Sequence, residues 1–233
     1  MPGFVSHTIM AKDVYNKLNN KDINLNYMMT YSLGGDLCKY AKCRYDSHHK
    51  DMDKFIYEMA RYIKENNLIH DKEIMGILYG HICHYVMDDT IHPLVRNLAG
   101  NSSRRKHNHT LIEVYYDNYL VKKRYHITKE QYLKRGILNT KSNKTINALI
   151  NNVYNEVYYT NNVYKYYQFN LWLYRQLRNI YIVFGERLTN QLMGLNRFLR
   201  TNKMDNQTFD DVYELSVILA VEYIKNVNNY LNN

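Results

Sequence analysis

The sequence predicts an all-α fold, and three observations carry that prediction. Apolar residues recur at intervals of three and four along most of the 233 residues, and strand-like alternation is missing over any useful length. The composition, 45% hydrophobic with 25 tyrosines and only 2 prolines, suits a helical globule rather than a disordered or proline-rich chain. No period of about 20 to 50 residues repeats and no linker rich in Pro, Gly and Ser divides the chain, so one domain over 1–233 is expected.

The elements follow in order. DMDKFIYEMARYIKENN places Met52, Phe55, Ile56, Met59, Tyr62 and Ile63 on one face, with Asp51 and Asp53 near its start, where carboxylates favour a helix N-terminus. KEIMGILYGHICHYVMDDTIHPLVRNL is apolar nearly all round, which predicts a central, buried helix that ends or bends near Pro93. HNHTLIEVYYDNYLVKKRY is a further helix, and over 127–233 ITKEQYLKRGIL, NKTINALINNVYNEVYY, NVYKYYQFNLWLYRQLRNIYIVFGERL and TFDDVYELSVILAVEYIKNVNNYL all have amphipathic helical spacing. SLGGDLCKYAKCRYDSHHK is the irregular exception. Gly34 and Gly35 favour a turn or close backbone approach, which sets Asp36 and the His48–His49 pair on loops or helix ends facing the central helices.

The formal net charge of +9 favours anionic partners, whether lipid surfaces, nucleic acid or phosphorylated substrates. The basic stretch near residues 104 to 124 is either a patch for such partners or simply a solvated surface. Cys38, Cys43 and Cys83 are odd in number and lack CxxC spacing, so reduced, buried thiols are expected rather than a disulfide framework or a thiolate zinc site. MPGFVSHTIM lacks the apolar core of a signal peptide, and no apolar run approaches the roughly 18 to 20 residues that span a bilayer. The expected compartment is the cytoplasm, with any membrane contact peripheral.

The chemistry concentrates in GHICHYVMDDTIHP. Residues three or four apart share a helix face, so His81, His84, Asp88 and His92 form one stripe, and His109, Glu113 and Asp117 repeat the spacing on another helix. Imidazole and carboxylate on adjacent turns can hold zinc, whereas each left alone in a buried helix would carry a desolvation cost of several kcal/mol. For His81 the choices are a ligand, a hydrogen-bond donor behind the ligands, or a packing residue. His70 and His126 are expected to be satisfied core histidines. Asp89 and Asp117 either orient ligand imidazoles or sit on helix surfaces.

MPGFVSH, SLGGDL, DSHHK, HYVMDDTIHP and HNHTLIEVYYD occur in the order and comparable spacing of the motifs of the zinc-dependent phospholipase C family, which shares its helical fold with S1/P1-type nucleases. The resemblance covers residues 1 to 120 and implies two or three zinc ions. One would be held by Asp36, His48 or His49, His84 and Asp88, and a second by His92, His109 and Glu113. A third would use the amino-terminal residue, His7 and Asp88. His92 departs from the family's best-known secreted members, lying four residues beyond the aspartate instead of six. The implied activity is hydrolysis of a glycerophospholipid to diacylglycerol and a phosphorylated headgroup, with Asp36 orienting or deprotonating the attacking water. Two alternatives stand beside it: an S1/P1-like zinc nuclease, and a zinc-stabilised structural or interaction protein without turnover.

Overall fold

The computed structural model describes residues 3–19, 22–44 and 51–233, and among them the chain is helical with no strand. The predicted segments form helices in the order α3 (Met52–Glu65), α4 (Lys72–Ala99), α5 (Arg105–Tyr125), α6 (Lys129–Leu133), α7 (Lys144–Tyr158), α8 (Tyr164–Met193) and α10 (Asn206–Asn232), with the short α9 (Leu195–Thr201) before the last. Two helices precede them that the periodicity did not mark, α1 (Phe4–Leu18) and α2 (Leu25–Tyr31). For α1 the reason is burial: every residue from Phe4 to Ala11 is inside, so the first half of this helix has no polar face to reveal a period.

α4 is the axis. Asp71 caps it by accepting from the backbone N–H groups of Glu73 and Ile74. Gly76 and Gly80 let the backbone of α2 lie directly against it, since an added Cβ would stand 2.7 Å from the carbonyl oxygens of Asn24 and Met28 respectively. α10 packs along α4 and also on α1, where Tyr213 donates to Asp13 across 2.9 Å. α5 lies against α4 and α1, α7 against α3, and α8 against a 3₁₀ turn at Gly34–Cys38 and against α6.

Two boundaries differ from expectation. α4 does not end near Pro93 but continues to Ala99. A proline loses its own N–H bond and crowds the carbonyl four residues back, but the flanking turns are held by buried Ile91, Val95 and Ala99. α8 is broken at Gly185, whose φ of 73° is left-handed. Tyrosines fill the core; Tyr31, Tyr79, Tyr132, Tyr154, Tyr167 and Tyr213 are among its largest buried side chains. Cys38, Cys43 and Cys83 are buried thiols, with no disulfide among the described residues. His70 and His126 are exposed rather than core residues, His126 closing α5 in the left-handed region. Arg104, Arg105 and Lys106 are exposed as the basic stretch predicts, but Lys123 and Arg124 are paired with Asp210 and with Glu214 and Asp13.

Candidate metal centre

The stripe on α4 divides. His84, Asp88 and His92 turn towards α1 and α5, while His81 does not join them. Its Nδ1 lies 2.9 Å from the Ile77 carbonyl and its Nε2 2.9 Å from the Tyr167 hydroxyl, which in turn contacts Tyr154 at 2.7 Å. Burial pushes its pKa down to about 3, so the ring is neutral; Nδ1 is used within α4 itself, while Nε2 ties α4 to Tyr167 of α8 and through it to Tyr154 of α7.

His84 is buried, and its Nδ1 lies 3.2 Å from the Ser32 carbonyl. A carbonyl only accepts, so Nδ1 carries the proton and the Nε2 lone pair faces Asp88 Oδ2 at 3.7 Å. The glycine turn makes this arrangement. Gly34 has φ +33°, and a Cβ there would stand 2.5 Å from the His84 ring, so the backbone lies over the imidazole and delivers Asp36, 2% exposed, two residues on. Gly34→Ala is expected to cost about 1–3 kcal/mol through strain and overlap. A melting temperature equal to that of the parent would show that the turn tolerates a side chain.

α1 brings His7, fully buried, with Nε2 3.3 Å from Asp88 Oδ1 and no hydrogen bond at either ring nitrogen. Its position is set from α5. Asp117 accepts from the Ser6 backbone N–H at 2.8 Å and the Ser6 hydroxyl at 2.7 Å, and its other oxygen meets Lys129 Nζ at 3.1 Å. Asp117 therefore holds the start of α1: in these contacts it meets no candidate ligand imidazole, and at 1% exposed it does not sit on the helix surface either, so it takes neither of the two expected places. Asp89 is exposed on a cavity of about 740 Å³ shared with Asp51, Asp53, Tyr85 and Glu222.

Two donor sets result. His7, Asp36 and His84 offer atoms within 4.8 Å of one another, and so do His92, His109 and Glu113. Asp88 lies between them, with Oδ2 also 3.8 Å from His92 Nδ1. His7 thus reaches both the Asp36–His84 pair and Asp88. His48, His49 and the amino-terminal residue lie outside the described residues. Donors held about 2.0–2.1 Å from a tetrahedral zinc stand roughly 3.3–3.5 Å apart; the His7–Asp88 contact at 3.3 Å has that spacing, and those to His84 and His92, at 3.7 and 3.8 Å, are slightly wider. The buried His7 nitrogens and His92 Nε2, which make no hydrogen bond, fit the same use.

The electrostatics agree. Burial would raise Asp88, but the surrounding His84, His92 and His7 outweigh it and hold the carboxyl well below the usual range. Burial lowers His92 to about 3 and His109 to about 4, leaving lone pairs available at neutral pH. Glu113 is pushed well above the usual carboxylate range, again mainly by burial, and its Oε1 lies 2.6 Å from His109 Nε2. Burial thus favours the neutral form of both groups, and a cation bound there would compete with protons for them. Tyr174 of α8 stands beside the cluster, its phenol raised well above the ordinary value by burial and then by Asp36, Glu113 and Asp88. No spacing in the sequence points to it.

The helical architecture, with imidazoles and carboxylates converging on a buried spot beside its central helix, defines an all-α protein of the phospholipase C/P1 nuclease type. The chain belongs to the zinc dependent phospholipase C family, whose sequence model matches residues 6–164 and so includes His7, Asp36, His84, Asp88, His92, His109 and Glu113. No curated protein and no solved structure matches it. Membership supports zinc dependence and an enzyme of the phospholipase C kind in general.

Proposed function

We propose that this protein is a zinc-dependent phosphodiesterase that hydrolyses a glycerophospholipid to diacylglycerol and a phosphorylated headgroup. The observation that carries the reading is the pair of donor sets, one buried and one partly so, on either side of Asp88. His7, Asp36, His84, Asp88, His92, His109 and Glu113 hold two or three zinc ions, with His48 or His49 completing the set around Asp36. Zinc held there supplies Lewis acidity towards the phosphoryl oxygens and a nucleophile at neutral pH. The protein's own contribution is orientation and proton control. Ser32 fixes the His84 tautomer, and Asp36 orients the attacking water and takes its proton. As water adds to phosphorus, the bond to the glycerol oxygen breaks. That oxygen receives the proton and leaves as diacylglycerol.

Metal analysis of protein purified without chelator or histidine tag is expected to find two or three zinc ions per chain. The loaded protein, offered short-chain phosphatidylcholine, phosphatidylethanolamine, single-stranded DNA and RNA, should release diacylglycerol from a phospholipid, and His84→Ala should abolish this. Cleavage of nucleic acid alone would move the reading to the nuclease alternative. That alternative has less support, because many tyrosines that would have to stack on bases are in the core. Full zinc occupancy without turnover of any substrate would leave a zinc-stabilised structural protein.

A further inference from the structure

We propose that the outward face of α8 is the surface by which this protein sits on an anionic lipid bilayer. Over Tyr164–Phe184, Phe169, Trp172, Leu177, Ile180, Val183 and Phe184 are exposed, Val183 by 75%. At 100° per residue they lie within an arc of about 140°, interrupted by Gln176 and bordered by Asn179. A monomeric protein in water rarely keeps so large an apolar stripe uncovered. The stripe lies beyond the segment that matches the family, which ends at residue 164.

Charge selects the occupant. Between Tyr164 and Lys203 the sequence has seven Lys and Arg and a single carboxylate, Glu186, a local excess of six in a chain whose balance is +9. Glu186 is turned away to accept from the Lys129 backbone N–H at 2.7 Å. On the same spacing Lys165 lies within the arc and Arg175 about 60° beyond its edge, while Arg178 lies nearly opposite; both arginines bond to neutral carbonyls of residues 137, 138 and 140, so no carboxylate cancels their charge there. A second copy would bring two such basic surfaces together. An anionic bilayer instead offers hydrocarbon for the stripe and negative headgroups for the bases. No helix among the described residues is long and apolar enough to cross a membrane, so α8 would lie in the interface rather than span it.

The same turns form a wall of the metal centre. Opposite Phe169 and Trp172, Asn170 donates to the Leu37 carbonyl at 2.9 Å, and the Tyr174 ring packs on Phe4 at 5.6 Å. Docking through α8 therefore seats the centre beside the lipid surface. This link to catalysis rests on the phospholipid reading, whereas the docking itself does not.

Trp172 is the only tryptophan in the chain, so its emission reports on this face alone. With vesicles containing about one third phosphatidylserine, its emission should shift to the blue and the protein should co-sediment, both declining as salt is raised from 50 to 500 mM. Pure phosphatidylcholine vesicles should bind at least tenfold more weakly. The double variant Ile180→Glu/Val183→Glu, altered only at exposed positions, should lose at least tenfold in vesicle binding yet hydrolyse monomeric short-chain phosphatidylcholine as the parent does. The proposal is overturned if the double variant binds vesicles as well as the parent. It is equally overturned if Trp172 is already shifted without lipid in a dimer that the double variant converts to monomer. Vesicle binding without turnover of the monomeric substrate would support docking while removing the hydrolase reading.

Discussion

Asp88→Asn is expected to lose at least one zinc ion per chain and to lower phosphodiester hydrolysis by a factor of roughly 100 or more, while Asp89→Asn, one residue away, changes neither. Asp88 lies within 3.3, 3.7 and 3.8 Å of three imidazoles, those of His7, His84 and His92, and is therefore the group that both donor sets would share. An amide of the same shape offers one oxygen instead of two and carries no charge to balance bound cations. Replacing groups that merely support metal ligands already costs about 10- to 100-fold in affinity or activity, so a shared ligand should cost more. Asp89 points about 100° away around α4 and is exposed, where a neutral substitution shifts stability by about 0.5 kcal/mol or less. Zinc content, turnover and melting temperature of the two variants provide the comparison. Equal losses, or a larger loss for Asp89→Asn, would mean that the shared carboxylate has been assigned to the wrong residue.

Asp117→Ala is expected to lower stability by about 3–5 kcal/mol, because it leaves a buried ammonium without its counter-ion. Asp117 and Lys129 are each 1% exposed and 3.1 Å apart. Burial alone would lower Lys129, but Asp117 outweighs it and holds the ammonium above its ordinary pKa. The Tyr181 ring, 4.2 Å from Lys129 Nζ, cannot replace a carboxylate in a desolvated site. The variant also releases the Ser6 N–H and hydroxyl that anchor the start of α1, so His7 should move and zinc affinity fall with stability. In a chain of this size the loss corresponds to a fall in melting temperature of roughly 10 °C. Lys122→Ala, at an exposed position on the same helix, serves as the control. A fall of less than about 2 °C for Asp117→Ala would show that the pair is not structurally required.

Local order accounts for what could be read from the residues alone. Spacing of three and four residues is a property of one helix, so the α-helical class, the central position of α4 and the pairs His84–Asp88 and His109–Glu113 follow without knowledge of neighbours. The glycines of SLGGDL could likewise be recognised, because a left-handed or closely approached backbone favours glycine whatever lies beside it. Where burial surrounds a helix the same logic fails: α1 shows no period, and its extent appears only when packed.

Tertiary structure decided the remainder, for a physical reason. A helix repeats its side chains every turn, but which members of a stripe share a site depends on the neighbours that pack over each turn. His81 and His84 are three residues apart on one helix, yet Tyr167 covers the first, while Ser32, Gly34 and His7 surround the second. Asp117 continues the spacing of His109 and Glu113 but meets Ser6 and Lys129, so it anchors a helix instead of an imidazole. Sequence spacing alone determined which residues could act together; the crossing of α1, α4 and α5 beneath the glycine turn decided which are brought together, because donor atoms must come within a few ångströms and that distance is set between helices rather than along them.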